Sequence, residues 1–452
     1  MSTSTLSPAR PPCPVPSGHA VGALLPVVGA DTVVPLATGG TTTYVNLDNA
    51  ASTPALRAVA DRVAQVLPHY ASVHRGAGYL SRVSTALFEQ ARGEVGRFAG
   101  ARPEDLVVFT RSTTDALDLL ARAVPPGARV LVADVEHHAN LLPWQRSART
   151  TVVRGGADAE ETTALLEAEL AAGRYGLLAV AGASNVTGEV LPLRRLARAA
   201  HDAGARIAVD GAQLLPHRRV DVGRDGIDYL ALSGHKLYAP FGSGALVGRR
   251  DWLDAADPYL AGGGATLDVR HDGVRWATGP DRHEAGSPNV VGAVALAQAC
   301  LTLGALPPGA LEAHEAALRA RLVDGLEALP GVQVVRPHPQ DAVGVVTLTV
   351  PGRSVSEVAA YLSAEHGTGV RDGRFCAHRF ADALGLAEGG LRVSTGVGTS
   401  SADVDRLLRA LRQFLTTGPA LRYGVVDGCW GPLSDPRPAP AAYLAADAPA
   451  SR

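Results

Sequence analysis

Between residues 105 and 250 the chain alternates two textures. Short apolar runs end in polar turn-formers: "DLVVFT" (105–110), "RVLVAD" (129–134), "GLLAVAG" (176–182), "ARIAVD" (205–210) and "DYLALS" (228–233). Between them lie stretches of helical period, "STTDALDLLARAV", "EHHANLLPWQRSA" and "LPLRRLARAAHDAG". This alternation predicts a mostly parallel sheet covered by helices, in one large domain over residues 59–296. Beyond about residue 300 the texture changes. An Ala/Leu/Glu-rich helix (310–328), strands at "VQVV" and "VGVVTLTV", and a final helix "SADVDRLLRALRQFL" predict a smaller α+β domain over 297–417, joined by the segment 41–58. The Pro- and Ser-rich leader (1–40) and the C-terminal extension (418–452) read as largely disordered. No internal repeat is visible.

Charge narrows the classes. A net charge of −2 gives no electrostatic case for nucleic acid or an anionic membrane surface. No run approaches the roughly 18 apolar residues of a membrane span, and the N-terminus lacks the basic start and apolar core of a secretory signal. The four cysteines, Cys13, Cys300, Cys376 and Cys429, form no CxxC pair and no metal-ligand spacing. No metal is expected, and a reducing, cytoplasmic setting is.

One compositional feature points to chemistry. Lys236, in "SGHKLYAP", is the only lysine in 452 residues; every other basic side chain among the 42 Lys and Arg is an arginine. Codon drift toward arginine explains why lysines are rare, but not where the last one stands. A primary amine condenses with an aldehyde, whereas a permanently charged, delocalised guanidinium does not. Lys236 follows the end of an apolar strand, where ligands sit in open α/β sheets.

Other strand ends carry matching groups. Asp210 closes "ARIAVD"; alone it is as readily a turn-former, but beside Lys236 it suits holding a pyridine nitrogen protonated while the lysine carries an aldehyde, the arrangement of pyridoxal 5'-phosphate (PLP) enzymes. Ser112, Thr113 and Thr114 open a helix directly after a strand, which makes either a phosphate site or a plain cap. His137 and His138 follow "VADVE", where a ring can stack over a planar cofactor or serve structure, and Asn185 offers a donor to a ring substituent. Cys376 lies in the loop "VRDGRFCAHRF", where Arg371, Arg374, His378 and Arg379 favour the thiolate and hence a reactive nucleophile. Arg392, in "GGLRVSTG", could clamp a carboxylate bidentately or form a salt bridge. Cys300 reads as helix core. No GxGxxG joins the first strand to a helix, which sets a nicotinamide site aside.

Seven motifs occur in a family order: "LDNAAS" (47–52), "VHRGAG" (73–78), "EHHANLLPWQ" (136–145), "SNVTG" (184–188), "VDGAQ" (209–213), "SGHK" (233–236) and "HEAGSPN" (283–289). Together they resemble the class V aminotransferase family, PLP enzymes of fold type I, and within it the SUF-type (group II) cysteine desulfurases. The resemblance runs from about residue 44 to 415. It implies that Lys236 is the PLP Schiff-base lysine, that Asp210 pairs with the pyridine nitrogen, that Gln213 approaches the phenolic oxygen and that His137 stacks on the ring. It implies phosphate contacts from Thr114, Ser233 and His235, and from Ser287 of a second subunit in a homodimer. Asn185 and Arg392 would hold the amino-acid substrate, His74 and His138 match active-site histidines, and Cys376 matches the persulfide-forming cysteine. The implied reaction turns L-cysteine into L-alanine and passes sulfur to an acceptor protein. Two departures stand near the substrate: Arg374 and Phe375 precede the loop cysteine where histidines are usual, and "GVGTSSADVD" follows Arg392. They keep open another class V reaction, such as a selenocysteine lyase, C–S lyase, epimerase or aminotransferase.

Overall fold

The computed structural model describes residues 20–439 apart from residue 75. Seven strands form the main sheet, in the order Leu106–Thr110, Gly244–Gly248, Tyr229–Ser233, Arg206–Asp210, Leu177–Ala181, Arg129–Ala133, Arg149–Val153. All run parallel except Gly244–Gly248, which is antiparallel to both neighbours. Helices cover both faces, so a strand such as Tyr229–Ser233 is buried at every position and its sequence is a continuous apolar run. The parallel strands all present their C-terminal ends at one edge of the sheet.

The antiparallel strand positions that edge. After Ser233 the chain turns through residues 234–243 and returns alongside, so Lys236 sits in a loop closed by paired strands. The turn leaves no room for side chains at its ends. A Cβ on Gly234 would lie 2.6 Å from the Ser243 carbonyl oxygen, and one on Gly244 would lie 2.8 Å from Ser112 Cα.

A second apolar core lies beneath a four-stranded antiparallel sheet in the order Gln333–Val334, Val345–Thr349, Gly390–Ser394, Arg371–Gly373. The helices Ala310–Glu327, Val355–His366 and Ser401–Thr416 supply Leu318, Leu362 and Leu407 to it. Val45 and Leu47 pack there too, and Val45–Asn46 pairs in parallel with Thr368–Gly369. A few residues on, Ala50 and Leu56 enter the main core.

Both ends of the chain depart from expectation. Of the predicted disordered leader, residues 1–19 lie outside the described residues, but residues 20–40 belong to the fold. The Leu24 and Leu25 amides donate to the Val397 carbonyl (2.7 and 3.1 Å), Val27 is buried, and Val33–Pro35 pairs with Thr41–Thr43. Of the extension, residues 440–452 lie outside the described residues. Tyr423–Val426 and Cys429–Pro432 form a hairpin against the helix Val355–His366. The Glu365 carboxylate anchors this segment, accepting from the Ala420 and Leu421 amides and the Tyr423 hydroxyl at 3.0–3.1 Å. These contacts are with residues remote in sequence, which local composition does not register. Among the described residues no helix is long and apolar enough to cross a membrane.

Candidate active site

At the C-terminal edge of the main sheet lies a cavity of about 310 Å³. Lys236, Asp210, Gln213, His137, Ser112, Thr113, Thr114, Ser233, His235 and Asn185 line it from the large sheet's side, and Arg371, Cys376 and Arg392 from the smaller one.

The electrostatics weaken the hold of the amine on its proton. Burial pushes the Lys236 ammonium down to about 8, with the nearby Arg392 charge acting in the same direction and Asp210 and Cys376 opposing. Asp210 is itself buried, and burial raises its carboxyl above the usual range while the Ala212 amide, donating to Oδ1 at 2.9 Å, and Lys236 pull the other way. Burial, helped by the charges of Lys236, His138 and Arg392, pushes His137 down to about 4. Its Nδ1 accepts from the Ala139 amide at 3.0 Å, so at neutral pH the ring is uncharged with its proton on Nε2.

The helix Thr113–Ala123 points its N-terminus at the cavity, where unpaired amides favour an anion. Its N-cap, Ser112, makes no side-chain capping bond. The Thr113 amide donates to Ser233 Oγ (2.7 Å), and that hydroxyl donates to Thr113 Oγ1 (2.9 Å), so strand end and helix start are tied together. Asp115, in the first turn, would oppose an anion, but its carboxylate turns to Arg111 (2.8 Å) and the Tyr259 hydroxyl (2.5 Å).

Two amides are spent on the protein itself. Gln213 Nε2 donates to the Ala50 carbonyl and Asn185 Nδ2 to the Phe375 carbonyl, both at 2.7 Å. Arg392 is buried, with Nη1 on the Asn185 carbonyl (3.1 Å) and Nη2 on Asp48 Oδ1 (3.1 Å); its Nε finds no partner among the described residues. The residue lines the cavity, where its guanidinium is the cation placed to meet a ligand carboxylate.

Cys376 is exposed at the cavity's rim. Phe375 and Cys376 both have φ of 54°, the left-handed region, which costs about 1–2 kcal/mol for each non-glycine residue. Polar contacts hold this strained turn. Asn185 grips the Phe375 carbonyl, and the His138 amide donates to the Cys376 carbonyl at 2.8 Å. Of the cations expected around the thiol, Arg374 is paired with Asp382 and donates to the His378 carbonyl.

Three predicted residues do not line this cavity: His74, Ser287 and His138, the last of which holds the Cys376 carbonyl through its amide. His74 lies in a separate cleft with Phe88, Glu284, Gly286 and Pro288, its Nε2 bonded to Glu89 Oε1 at 3.0 Å. Ser287, expected to act from a second subunit, is exposed beside that cleft and outside its own chain's cavity.

Sequence reasoning assigned no role to three residues. Asp48 and Phe375 both meet Arg392. Glu136 is a buried carboxyl accepting from Asn140 Nδ2 (2.7 Å) and the Ala181 amide (2.9 Å); burial drives it up to about 8, so it is largely protonated at neutral pH. An acid directly before paired histidines, with an Asn four residues on, was the available signal.

The sequence profile described as Aminotransferase class-V matches residues 45–407. The chain belongs to the class V aminotransferase family. Its relatives include a probable cysteine desulfurase of Vibrio cholerae, 36% identical over 379 residues, covering 82% of this chain and 93% of that protein. A cysteine desulfurase of Dickeya dadantii is 35% identical over 384 residues, covering 81% and 91%. Among solved structures, the cysteine desulfurase CsdA of Escherichia coli, with an S-sulfonic acid, aligns with a TM-score of 0.74 at 32% identity, covering 83% of this chain and 95% of that one. The apo cysteine desulfurase of Thermococcus onnurineus aligns with a TM-score of 0.76, also at 32% identity and with the same coverage. The class V family is PLP-dependent, and this cavity fits that cofactor. A lysine amine with lowered basicity, a buried carboxylate, an uncharged imidazole and a helix N-terminus line one space of a size to hold it.

Proposed function

We propose that the protein is a cysteine desulfurase that removes sulfur from L-cysteine and releases L-alanine. One observation carries the reading: Cys376 opens onto the same cavity as Lys236, Asp210 and Arg392. When bound, PLP supplies an aldehyde and an electron-withdrawing ring able to stabilise negative charge at the substrate's Cα.

The chain's own residues do the rest. Lys236 would hold the cofactor through its amine, and its Nζ would take the Cα proton and later return one. Asp210 keeps Oδ2 for a proton at the ring nitrogen, since Oδ1 is engaged by Ala212. His137 would stack on the ring as an uncharged imidazole, and Ser112, Thr114, Ser233 and His235 would hold the phosphate. Arg392, which lines the cavity, would hold the substrate carboxylate. The Cys376 thiolate attacks the substrate sulfur; an S–S bond forms, the C–S bond breaks with its electron pair left on carbon, and protonation yields alanine. The persulfide stays on Cys376, whose exposure suits hand-over to an acceptor protein or a thiol reductant. A homodimer that brings Ser287 and His74 toward a partner's cavity, and a cytoplasmic, reducing setting for the thiol, belong to the same reading.

The experiment is direct. The PLP-loaded protein, given L-cysteine and a thiol reductant, should produce alanine and sulfide in equal amounts. A loaded protein that forms no alanine from L-cysteine refutes the activity.

A pH dependence follows from Lys236. Only the unprotonated amine attacks an aldehyde, and the lowered basicity makes that form available from about pH 8 upward. Reconstitution of cofactor-free protein, followed by visible absorbance, should speed up about tenfold per pH unit below that point and level off above it. A rise continuing toward the pH of an ordinary lysine would show that burial does not tune this amine.

A further inference from the structure

The residue before the nucleophile touches the residue expected to hold the substrate carboxylate. The Arg392 guanidinium carbon lies 5.1 Å from the centre of the Phe375 ring, within range of a cation–π contact, and both side chains are buried. The ring also belongs to a small apolar cluster with Val186, Ala377, Phe380, Ala381 and Leu386, a patch of packing separate from the two main cores. Phe375 thus has three attachments: its ring on Arg392, its carbonyl on Asn185 Nδ2, and its peptide bond to Cys376. Asn185 closes the circuit, because its own carbonyl accepts from Arg392 Nη1.

We propose that Phe375 is a positioning residue that couples occupancy of the Arg392 carboxylate clamp to the placement of Cys376. A carboxylate paired with the Arg392 guanidinium in the cavity fixes the plane of that group. That plane seats the aromatic ring, and the seated ring holds the left-handed turn that aims the thiol into the cavity. An amino acid without a well-placed carboxylate would leave the turn less firmly held, which makes Phe375 a determinant of substrate class as well. The inference rests on the desulfurase reading for its kinetic arm but not for its chemical one.

The test compares Phe375→Ala and Phe375→Tyr with the unmodified PLP-loaded protein. Losing a desolvated cation–π contact should raise KM for L-cysteine and lower kcat together, so that kcat/KM falls at least about tenfold, while the tyrosine, which keeps the π face, stays near the original values. Independently, iodoacetamide alkylation of Cys376, read by peptide mass, should be slowed by L-alanine in the unmodified protein and much less so in Phe375→Ala. Leu386→Ala, in the same apolar cluster, should lower thermal stability while leaving KM and the alanine protection in place. Full protection by L-alanine in Phe375→Ala overturns the proposal, as does a KM rise in Leu386→Ala equal to that of Phe375→Ala. A protein inert toward L-cysteine refutes the activity, and the alkylation ratio still decides the role of Phe375.

Discussion

Replacing Lys236 with arginine, the residue this chain uses at every other basic position, should leave a folded protein with neither bound-cofactor absorbance nor alanine formation. The charge is kept and the length nearly so, but the reactive amine is gone. A guanidinium neither bonds to the aldehyde nor accepts the Cα proton, and loss of a general base alone costs about 10²–10⁴-fold in rate. The arginine would also introduce a permanent cation into a space whose burial already drives a lysine down to about 8. Lys236→Ala separates the two effects: it removes amine and charge together and should be equally inactive but more readily folded. Covalent retention of PLP in either variant would remove Lys236 from the anchoring role.

Cys376→Ser should give the complementary outcome. The cofactor's absorbance and the binding of L-cysteine persist, while alanine and the extra sulfur on the loop peptide both disappear. A hydroxyl is a far weaker nucleophile toward sulfur than a thiolate, and serine matches cysteine closely enough to keep the turn. The contacts that hold that turn, from Asn185 and His138, reach backbone carbonyls and do not depend on the thiol. Undiminished alanine formation by Cys376→Ser would point to another class V reaction in which the loop cysteine is a bystander.

Legibility in the sequence followed the range of the interactions. Strands such as "ARIAVD" declared themselves because burial on both faces demands an unbroken apolar run, and the chemistry at their ends followed from where such sheets bind ligands. Arg149–Val153 was not read as a strand: it is an edge strand, only partly buried, with a polar start. Gly244–Gly248 was not read either, since glycines at both ends give it the look of a loop, although close approach to Leu232 and Ser112 at one end and to Asp228 and Tyr229 at the other requires them. Within the site, Lys236, Asp210 and the helix start at Ser112 were legible from type and place. The Arg392–Asp48 and Asn185–Phe375 contacts were not, because each joins segments remote in the chain that only the assembled fold brings together. Phe375 was visible only as a departure from the usual histidine, with its partner unknown.

The enclosure of Lys236 has a consequence for the rest of the molecule's surface. A free aldehyde forms reversible adducts with any exposed primary amine, and an ordinary protein offers dozens of such decoys. Here the side chains outside the cavity present only guanidinium groups, so apart from the chain's own terminus there is a single amine to find. Amine-directed reagents applied to this protein would therefore report on one address, and a cofactor already seated there would close it.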